Sequence, residues 1–477
     1  MFIQLSKNSF VRILSEGKIG YIRNQLYNID NLYNETGADF LKELSRNPQS
    51  IESIVTRLLK IYDIDKETLE NHFVDFVDDL VKQNYVIVGD TLEELTDTSF
   101  TYKAKKPKTS AYQFENYTEH NVPTTQKTIS GLLEEVPHLW SIQIEITGRC
   151  NERCIHCYIP NSCKDLGKDM SFELFSKIIE EFSLMGGLHV TLTGGEALLH
   201  KDFVRMLRLC REKDLEITLL SNLTKMTDEI VSALKVYNVN MVNVSLYSID
   251  NETHDRITML KGSCQKTKNA IETLVAHDIP VQISCPIISP NKNSFQDVIK
   301  YAGRLKTKAS IDYNIVAEKN HSKNNLNCRL SLDEIPEVIR KIVEFRKDYV
   351  RFLEDTPLDS SKTDNNAHPC GAAFSTINIT SSGEVNPCST WGESLGNVSN
   401  HSLSDIWEKS ERINEIRSVT YADFPECQKC SSADYCMTCM AKNFSESGDP
   451  MKLNKYFCKV AQINKSVVEE WRRVNDR

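Results

Sequence analysis

Cysteine spacing constrains this chain more than any other feature of its sequence. Of 15 cysteines in 477 residues, three crowd one stretch (Cys150, Cys154, Cys157) and seven lie between Cys370 and Cys458. The N-terminus, MFIQLSKNSFVRILSEG, has neither the apolar core nor the small-residue cleavage site of an export signal. No run of about 18 apolar residues offers a membrane span. The expected compartment is the cytoplasm, with no membrane partner. Stable disulfides are disfavoured there, so clustered cysteines point to metal or redox chemistry. The five scattered ones, Cys163, Cys210, Cys264, Cys285 and Cys328, are expected to be inert thiols packed as small hydrophobes.

Length asks for about two to four domains. A net charge of −9 argues against a nucleic-acid partner, and the basic run KAKKPK at 103–108 reads as solvated linker. Residues 1–95 form a first unit, with strands expected at Gly20–Asp30 and Asn84–Val88. Between them lie two amphipathic helices, one capped by Ser50 and the other carrying Leu69, Phe73, Phe76, Val77 and Leu80. Residues 96–137 are polar, without periodicity, and read as a linker.

Over residues 138–350 the rhythm becomes strand, helix, strand, helix. Strands are expected at Ser141–Ile146, His189–Leu192, Glu216–Leu220, Met241–Leu246, Val281–Cys285 and Ser310–Val316. Helices are expected at Ser171–Leu184, Asp202–Lys213, Thr227–Tyr237, Lys266–His277, Ser294–Leu305 and Leu332–Tyr349. The fold class is therefore α/β. Six β/α units predict a parallel sheet, partly closed as a (β/α)6 TIM-type barrel, with its chemistry at the C-terminal ends of the strands. Residues 365–465 break into short cysteine-bearing turns that need metal to build a core.

The segment IEITGRCNERCIHCY follows the first of these strands and spaces its thiols as Cys150-x3-Cys154-x2-Cys157. Three thiolates can hold three corners of a cuboidal 4Fe-4S cluster, leaving one iron open to a small chelating ligand. Zinc is the competing reading, though structural zinc prefers a closed four-ligand site. His156 is a sterically awkward fourth ligand, since it sits between two others.

The arrangement resembles the CxxxCxxC signature of radical S-adenosylmethionine (SAM) enzymes. Leu192-Thr193-Gly194-Gly195-Glu196, one β/α unit later, resembles that family's GGE motif, which receives the SAM amino group. The glycines permit close backbone approach, and the Glu accepts from an ammonium. Ser221-Asn222 matches the ribose-contacting region. Ser245-Leu246-Tyr247-Ser248 with His254-Asp255-Arg256 is similar to the stretch whose Ser and Arg hold the SAM carboxylate. In this chain Tyr247-Ser248 stands where the family has Asp-Gly. The resemblance implies SAM as cofactor, Gly194, Gly195, Glu196, Asn222, Ser245 and Arg256 as its contacts, and a flavodoxin or ferredoxin as reductant.

The second field reads Cys370-x12-Gly383-x4-Cys388, then Cys427-x2-Cys430-x5-Cys436-x2-Cys439, then Cys458. It is similar to the SPASM domain, which binds two auxiliary 4Fe-4S clusters, for three clusters in all. Here x2 replaces the usual x3 before the sixth cysteine, and paired CxxC leaves a zinc ribbon as the rival. The resemblance implies one cluster on Cys427, Cys430, Cys436 and Cys458, and another on Cys370, Cys388 and Cys439. Cys328 is the upstream candidate for a fourth ligand of the latter.

Residues 15–90 resemble the PqqD-like, winged-helix-like domain fused to maturases of ribosomally made peptides, through Tyr21–Tyr27 and Asn34-Glu35-Thr36-Gly37-Ala38. Such a domain takes the leader of a precursor peptide as an added strand. A structural or dimerising unit is the alternative. The function implied is peptide thioether formation, in which a 5′-deoxyadenosyl radical leads to a bond between cysteine sulfur and an acceptor carbon. Carbon–carbon crosslinking and sulfatase-type formylglycine formation are rival chemistries. A non-catalytic iron–sulfur scaffold is the rival from another class.

Overall fold

The computed structural model describes residues 1–14, 17–96, 137–165, 167–346, 349–354, 366–436 and 438–475. Nearly all of the expected linker, 97–136, lies outside them.

The first unit holds six short strands: β1 (Phe2–Leu5), β2 (Ser9–Leu14), β3 (Ile19–Asn24), β4 (Ile29–Tyr33), β5 (Gln49–Ser50) and β6 (Val86–Gly89). They form two three-stranded sheets, ordered β5-β1-β6 and β2-β3-β4. The single strand expected at Gly20–Asp30 is in fact a hairpin. Asn24 Oδ1 accepts from Leu26 N at 3.0 Å and Asn28 takes φ +53°, the side-chain turn chemistry that breaks a strand. Helices Glu35–Lys42, Ile51–Leu58 and Lys66–Lys82 start on the side chains of Asn34, Ser50 and Asp65. They bury Phe40, Ile54, Val55, Phe73 and Val77 in a core of their own.

Six strands then run parallel and in sequence order: β7 (Ser141–Thr147), β8 (His189–Gly194), β9 (Glu216–Ser221), β10 (Met241–Ser245), β11 (Val281–Pro286) and β12 (Lys308–Asp312). The last begins and ends earlier than the sequence pattern predicts. Helices Phe172–Leu184, Phe203–Glu212, Asp228–Val236, Ser263–Ala276 and Phe295–Arg304 alternate with them. An extra helix, Asn251–Thr258, stands between β10 and Ser263–Ala276, and the expected Leu332–Tyr349 helix runs only from Ile335 to Phe345.

The sheet does not close. The free side of β7 pairs in parallel with β13 (Thr376–Ile379), which is followed by antiparallel β14 (Glu384–Asn386) and β15 (Gly396–Asn397). The nine-stranded sheet therefore has β12 and β15 as its edges. Ile377 and Ile379 sit in register with Ile142 and Ile144, all four buried. The cysteine-rich region is thus continuous with the core sheet.

The first unit docks on the opposite end of that sheet from the cysteine loop. Phe10 and Tyr21 bury against Leu188 and Trp140, with the Tyr21 and Trp140 rings edge-on at 4.9 Å. Arg12 Nε donates to Gly187 O at 2.9 Å, and Arg23 Nε donates to Glu216 Oε2 at 2.9 Å. Gly187 and Glu216 lie at the N-terminal ends of β8 and β9. A strand of such length rises about 20 Å, so the first unit and the cysteine loop are separated by the depth of the sheet.

Candidate functional site

The loop after β7 is held shut at its base. Gly148 N donates to Lys168 O at 2.9 Å, and a Cβ on Gly167 would lie 2.2 Å from Gly148 C. Two glycines thus let the chain leaving the loop cross the chain entering it. Asp169 fastens the crossing, accepting from Thr147 Oγ1 at 2.7 Å and pairing with Arg149 at 2.6 Å. Within this ring stand Cys150, Cys154 and Cys157.

The turn after β8 extends the sheet pairing along the loop, with Gly195 N donating to Thr147 O at 2.9 Å and Glu196 N to Arg149 O at 2.8 Å. Gly194 has φ +150°, and a Cβ on Gly195 would lie 2.2 Å from Arg149 O and 2.9 Å from Cys150 Cβ. The glycines are needed because two backbones touch. Glu196 is 1% exposed. Its carboxylate accepts from Ser221 Oγ at 2.6 Å, Asn222 N at 2.7 Å and Leu198 N at 3.0 Å. Burial raises its pKa despite these bonds. The visible work of Glu196 is to tie the end of β8 to the end of β9.

Asn222 then reaches the cysteine loop, its Nδ2 donating to Asn151 Oδ1 at 3.1 Å while Asn151 Nδ2 donates to Thr224 Oγ1 at 2.7 Å. Ser245, at the end of β10, hydrogen-bonds Tyr247, whose hydroxyl lies 3.8 Å from Cys154 Sγ. The His156 ring meets the Tyr247 ring edge-on at 4.6 Å, and burial lowers the His156 pKa to about 4. Arg256 is exposed on helix Asn251–Thr258 with Asp250 as a charged neighbour, and is not among the buried groups around the loop.

Burial pushes the Cys150 thiol up to about 11 and that of Cys154 well above its ordinary value. Thiols so placed ionise when a metal takes their proton's place. Lys164, 4% exposed, hydrogen-bonds Cys157 and faces all three sulfurs. Glu152, 2% exposed, accepts from Cys154 Sγ at 3.4 Å through one oxygen, leaving the other buried without a hydrogen-bond partner. Three thiols in one loop with a buried lysine beside them fit an iron–sulfur cluster. Among the described residues no three Cys, His, Asp or Glu side chains are drawn in to the spacing of a single-ion site. Lys164, Glu152, Asn151, Gly148 and Gly167 carry no motif, and nothing in the sequence singles them out.

The second field divides in space. Burial first, then Cys439 and Cys388, raise the Cys370 thiol to about 12, and Cys388 is likewise raised by burial and by Cys439. These three face one another across the domain. Cys458 has Cys427 and Cys430 as its sulfur neighbours. Cys430 N bonds Cys427 O, Ala433 N bonds Cys430 O and Cys436 N bonds Ala433 O, each at 3.1 Å, so tight turns carry the chain from Cys427 to Cys436. Cys328 is elsewhere, packed with Tyr247, Ile257, Ile288 and Ile315 beside Cys154 and Ile155. Cys210, Cys264 and Cys285 are buried as expected, whereas Cys163 is exposed.

The two fields meet at Tyr158. Its phenol hydrogen-bonds Ser389, the residue after Cys388, and Lys319 N donates to its carbonyl at 2.9 Å. Lys319 Nζ pairs with Glu145 of β7 at 2.6 Å, and Asn378 Nδ2 of β13 donates to the same carboxylate at 3.1 Å.

Residues 144–302, which carry Cys150, Cys154 and Cys157, the glycine turn and the strand ends, match the Radical SAM superfamily. Residues 370–431 match the iron–sulfur cluster-binding SPASM domain, and residues 28–86 match coenzyme PQQ synthesis protein D (PqqD). The chain belongs to the radical SAM/SPASM family, in a form that carries a PqqD domain. It is similar to the antilisterial bacteriocin subtilosin biosynthesis protein AlbA of Bacillus subtilis (strain 168), 24% identical over 94% of each chain. The AdoMet-dependent heme synthase of Methanosarcina barkeri is 22% identical over 65% of this chain and 94% of its own. The fold is similar to that of Streptococcus suis SuiB bound to precursor peptide SuiA. There the TM-score is 0.63 at 16% identity, covering 96% of this chain and 99% of that one. No helix among the described residues is long and apolar enough to cross a membrane.

Proposed function

We propose that this chain matures a ribosomally made precursor peptide by forming thioether bonds between cysteine sulfur and an acceptor carbon. The likeness to AlbA, a bacteriocin biosynthesis protein, extends over 94% of the chain, against 65% for the heme synthase. The winged-helix-like PqqD unit offers the outer edge of β4, beside helix Lys66–Lys82, to an extended leader.

When bound, SAM and three four-iron clusters would supply a 5′-deoxyadenosyl radical and an iron that accepts a thiolate, with a flavodoxin or ferredoxin as electron donor. Cys150, Cys154 and Cys157 would hold the first cluster. The turn at Gly194, Gly195 and Glu196, with Asn222 and Ser245, would shape the SAM site. Cys427, Cys430, Cys436 and Cys458 would hold the outer auxiliary cluster.

The observation that carries the thioether reading is the grouping of Cys370, Cys388 and Cys439 while Cys328 packs with Cys154 and Ile155. Three thiols leave a soft-ligand position for a substrate sulfur. The balance is simple. The acceptor C–H hydrogen would leave on 5′-deoxyadenosine and the thiol proton would leave to solvent as the C–S bond formed, and the one electron released would be taken up by the cluster that Cys370, Cys388 and Cys439 would hold.

The test is anaerobic turnover with a leader-bearing, cysteine-containing precursor. Thioether formation removes two hydrogens and blocks alkylation of the thiol. Loss of two hydrogens with the thiol still alkylatable means carbon–carbon crosslinking. Loss of sulfur means formylglycine, and no SAM cleavage at all means a scaffold.

A further inference from the structure

We infer that Lys164 is the charge-compensating residue of the Cys150–Cys154–Cys157 site, a buried cation that sets how readily a cluster held there accepts an electron. The inference rests on the reading that these thiols hold a four-iron cluster.

Lysine is almost never fully buried unless something pairs with its charge. Lys164 is 4% exposed. It hydrogen-bonds Cys157 and has Cys154 and Cys150 as its other sulfur neighbours. Backbone geometry puts it there. After Cys157 the chain turns into helix Asn161–Asp165, where Lys164 N bonds Pro160 O at 3.3 Å. The chain is then forced back against the loop entrance where Gly167 meets Gly148. Lys164 is therefore anchored on both sides within the ring that carries the thiols. Of the loop's arginines, Arg149 pairs with Asp169 at 2.6 Å, and Arg153 Nη1 donates to Cys150 O at 2.6 Å and to Glu152 O at 3.0 Å.

Three thiolates give a cluster excess negative charge, and reduction adds one more. In a pocket of low effective dielectric that added charge is expensive, and a cation in contact with the sulfurs offsets it. Net charge and hydrogen bonds to sulfur are the levers that set such potentials. Lys164 is a positioning residue in this account. It touches a ligand sulfur and not the substrate.

The experiment uses the full-length, anaerobically reconstituted enzyme. Lys164→Met, Lys164→Gln and Lys164→Arg are compared by iron content, SAM affinity and EPR-monitored redox titration, following the cluster signal that responds to SAM. Both neutral variants should show a lower midpoint potential, and the Arg variant should stay near the parent. SAM is a net cation, so its affinity should not fall. Loss of iron in both neutral variants with retention in the Arg variant would also support the inference. An unchanged potential in either neutral variant would overturn it. So would loss of iron in all three variants, which would mark a packing role. Weakened SAM binding at unchanged potential would make Lys164 a carboxylate anchor instead. Zinc in place of iron in the unsubstituted protein would sink the cluster reading itself, and is distinguishable because no substitution is involved.

Discussion

Arg23 of β3 donates its Nε to the carboxylate of Glu216, the first residue of β9, at 2.9 Å across the boundary between the N-terminal unit and the core sheet. Glu216 is 2% exposed and also pairs with His189 at 3.0 Å. Burial alone would raise the Glu216 pKa, but His189 and Arg23 outweigh it and hold the carboxyl below its ordinary value.

Removing one partner of such a pair strands the other. Arg23→Met should destabilise the docked unit by roughly 3 kcal/mol, and Arg23→Met with Glu216→Met should recover much of that loss. A depressed carboxyl contributes stability above its unfolded pKa and loses it as pH falls through the folded one. Docking should therefore survive neutral and mildly acidic pH and weaken only below the usual carboxylate range. Limited proteolysis across a pH series checks this, and release of the unit at mildly acidic pH would contradict it.

Glu196 gathers three donors in a buried place, and an amide cannot serve all of them. Glu196→Gln turns an NH2 toward at least one N–H or O–H donor, at a cost of about 1–3 kcal/mol. It should lower both thermal stability and SAM affinity by calorimetry. Ser221→Ala removes one donor to Glu196 and the oxygen that accepts from Leu223 N at 2.9 Å, but leaves the carboxylate in place and should be the milder change, at about 1 kcal/mol.

Gly195→Ala puts a Cβ 2.2 Å from Arg149 O and 2.9 Å from Cys150 Cβ. The loop must move, and with it Cys150. The expected result is a folded protein with depleted radical-site iron and no SAM cleavage, read by iron assay and EPR. Full iron and normal cleavage would mean that the close backbone approach is not required.

Replacing Cys150, Cys154 and Cys157 together should remove about a third of roughly twelve irons and abolish SAM cleavage. Cys328→Ala should leave the auxiliary signals unchanged, because Cys328 packs with Tyr247 and Ile257 rather than with Cys370. A cysteine-bearing precursor should perturb those signals, and its Cys→Ser version should not. Equal response to both peptides, or loss of an auxiliary cluster in Cys328→Ala, would reject the thiolate-accepting site.

Much of this site is local in sequence. Cys150, Cys154 and Cys157 share one loop, so their spacing alone presents three thiolates to one object. Gly194-Gly195-Glu196 declares a close approach because only glycine tolerates it. The β/α alternation of residues 141–304 follows from hydrophobic periods of two and about 3.6 residues, which neighbours along the chain carry. The hairpin at Gln25 escaped that reading because turn chemistry at Asn24 and Asn28 interrupts an otherwise strand-like run.

What tertiary structure alone decided are the pairings between distant segments. Hydrogen-bond ladders and burial choose these, and no local preference encodes them. β13 takes the free edge of β7 and keeps the sheet open. Cys370 and Cys388 meet Cys439, while Cys328 is withdrawn among Tyr247 and Ile288. Arg256 is exposed on helix Asn251–Thr258, while its helix neighbours His254 and Ile257 are buried. Lys164, unmarked in the sequence, is carried into the thiol pocket because Gly167 and Gly148 let two backbones cross where any side chain would have held them apart.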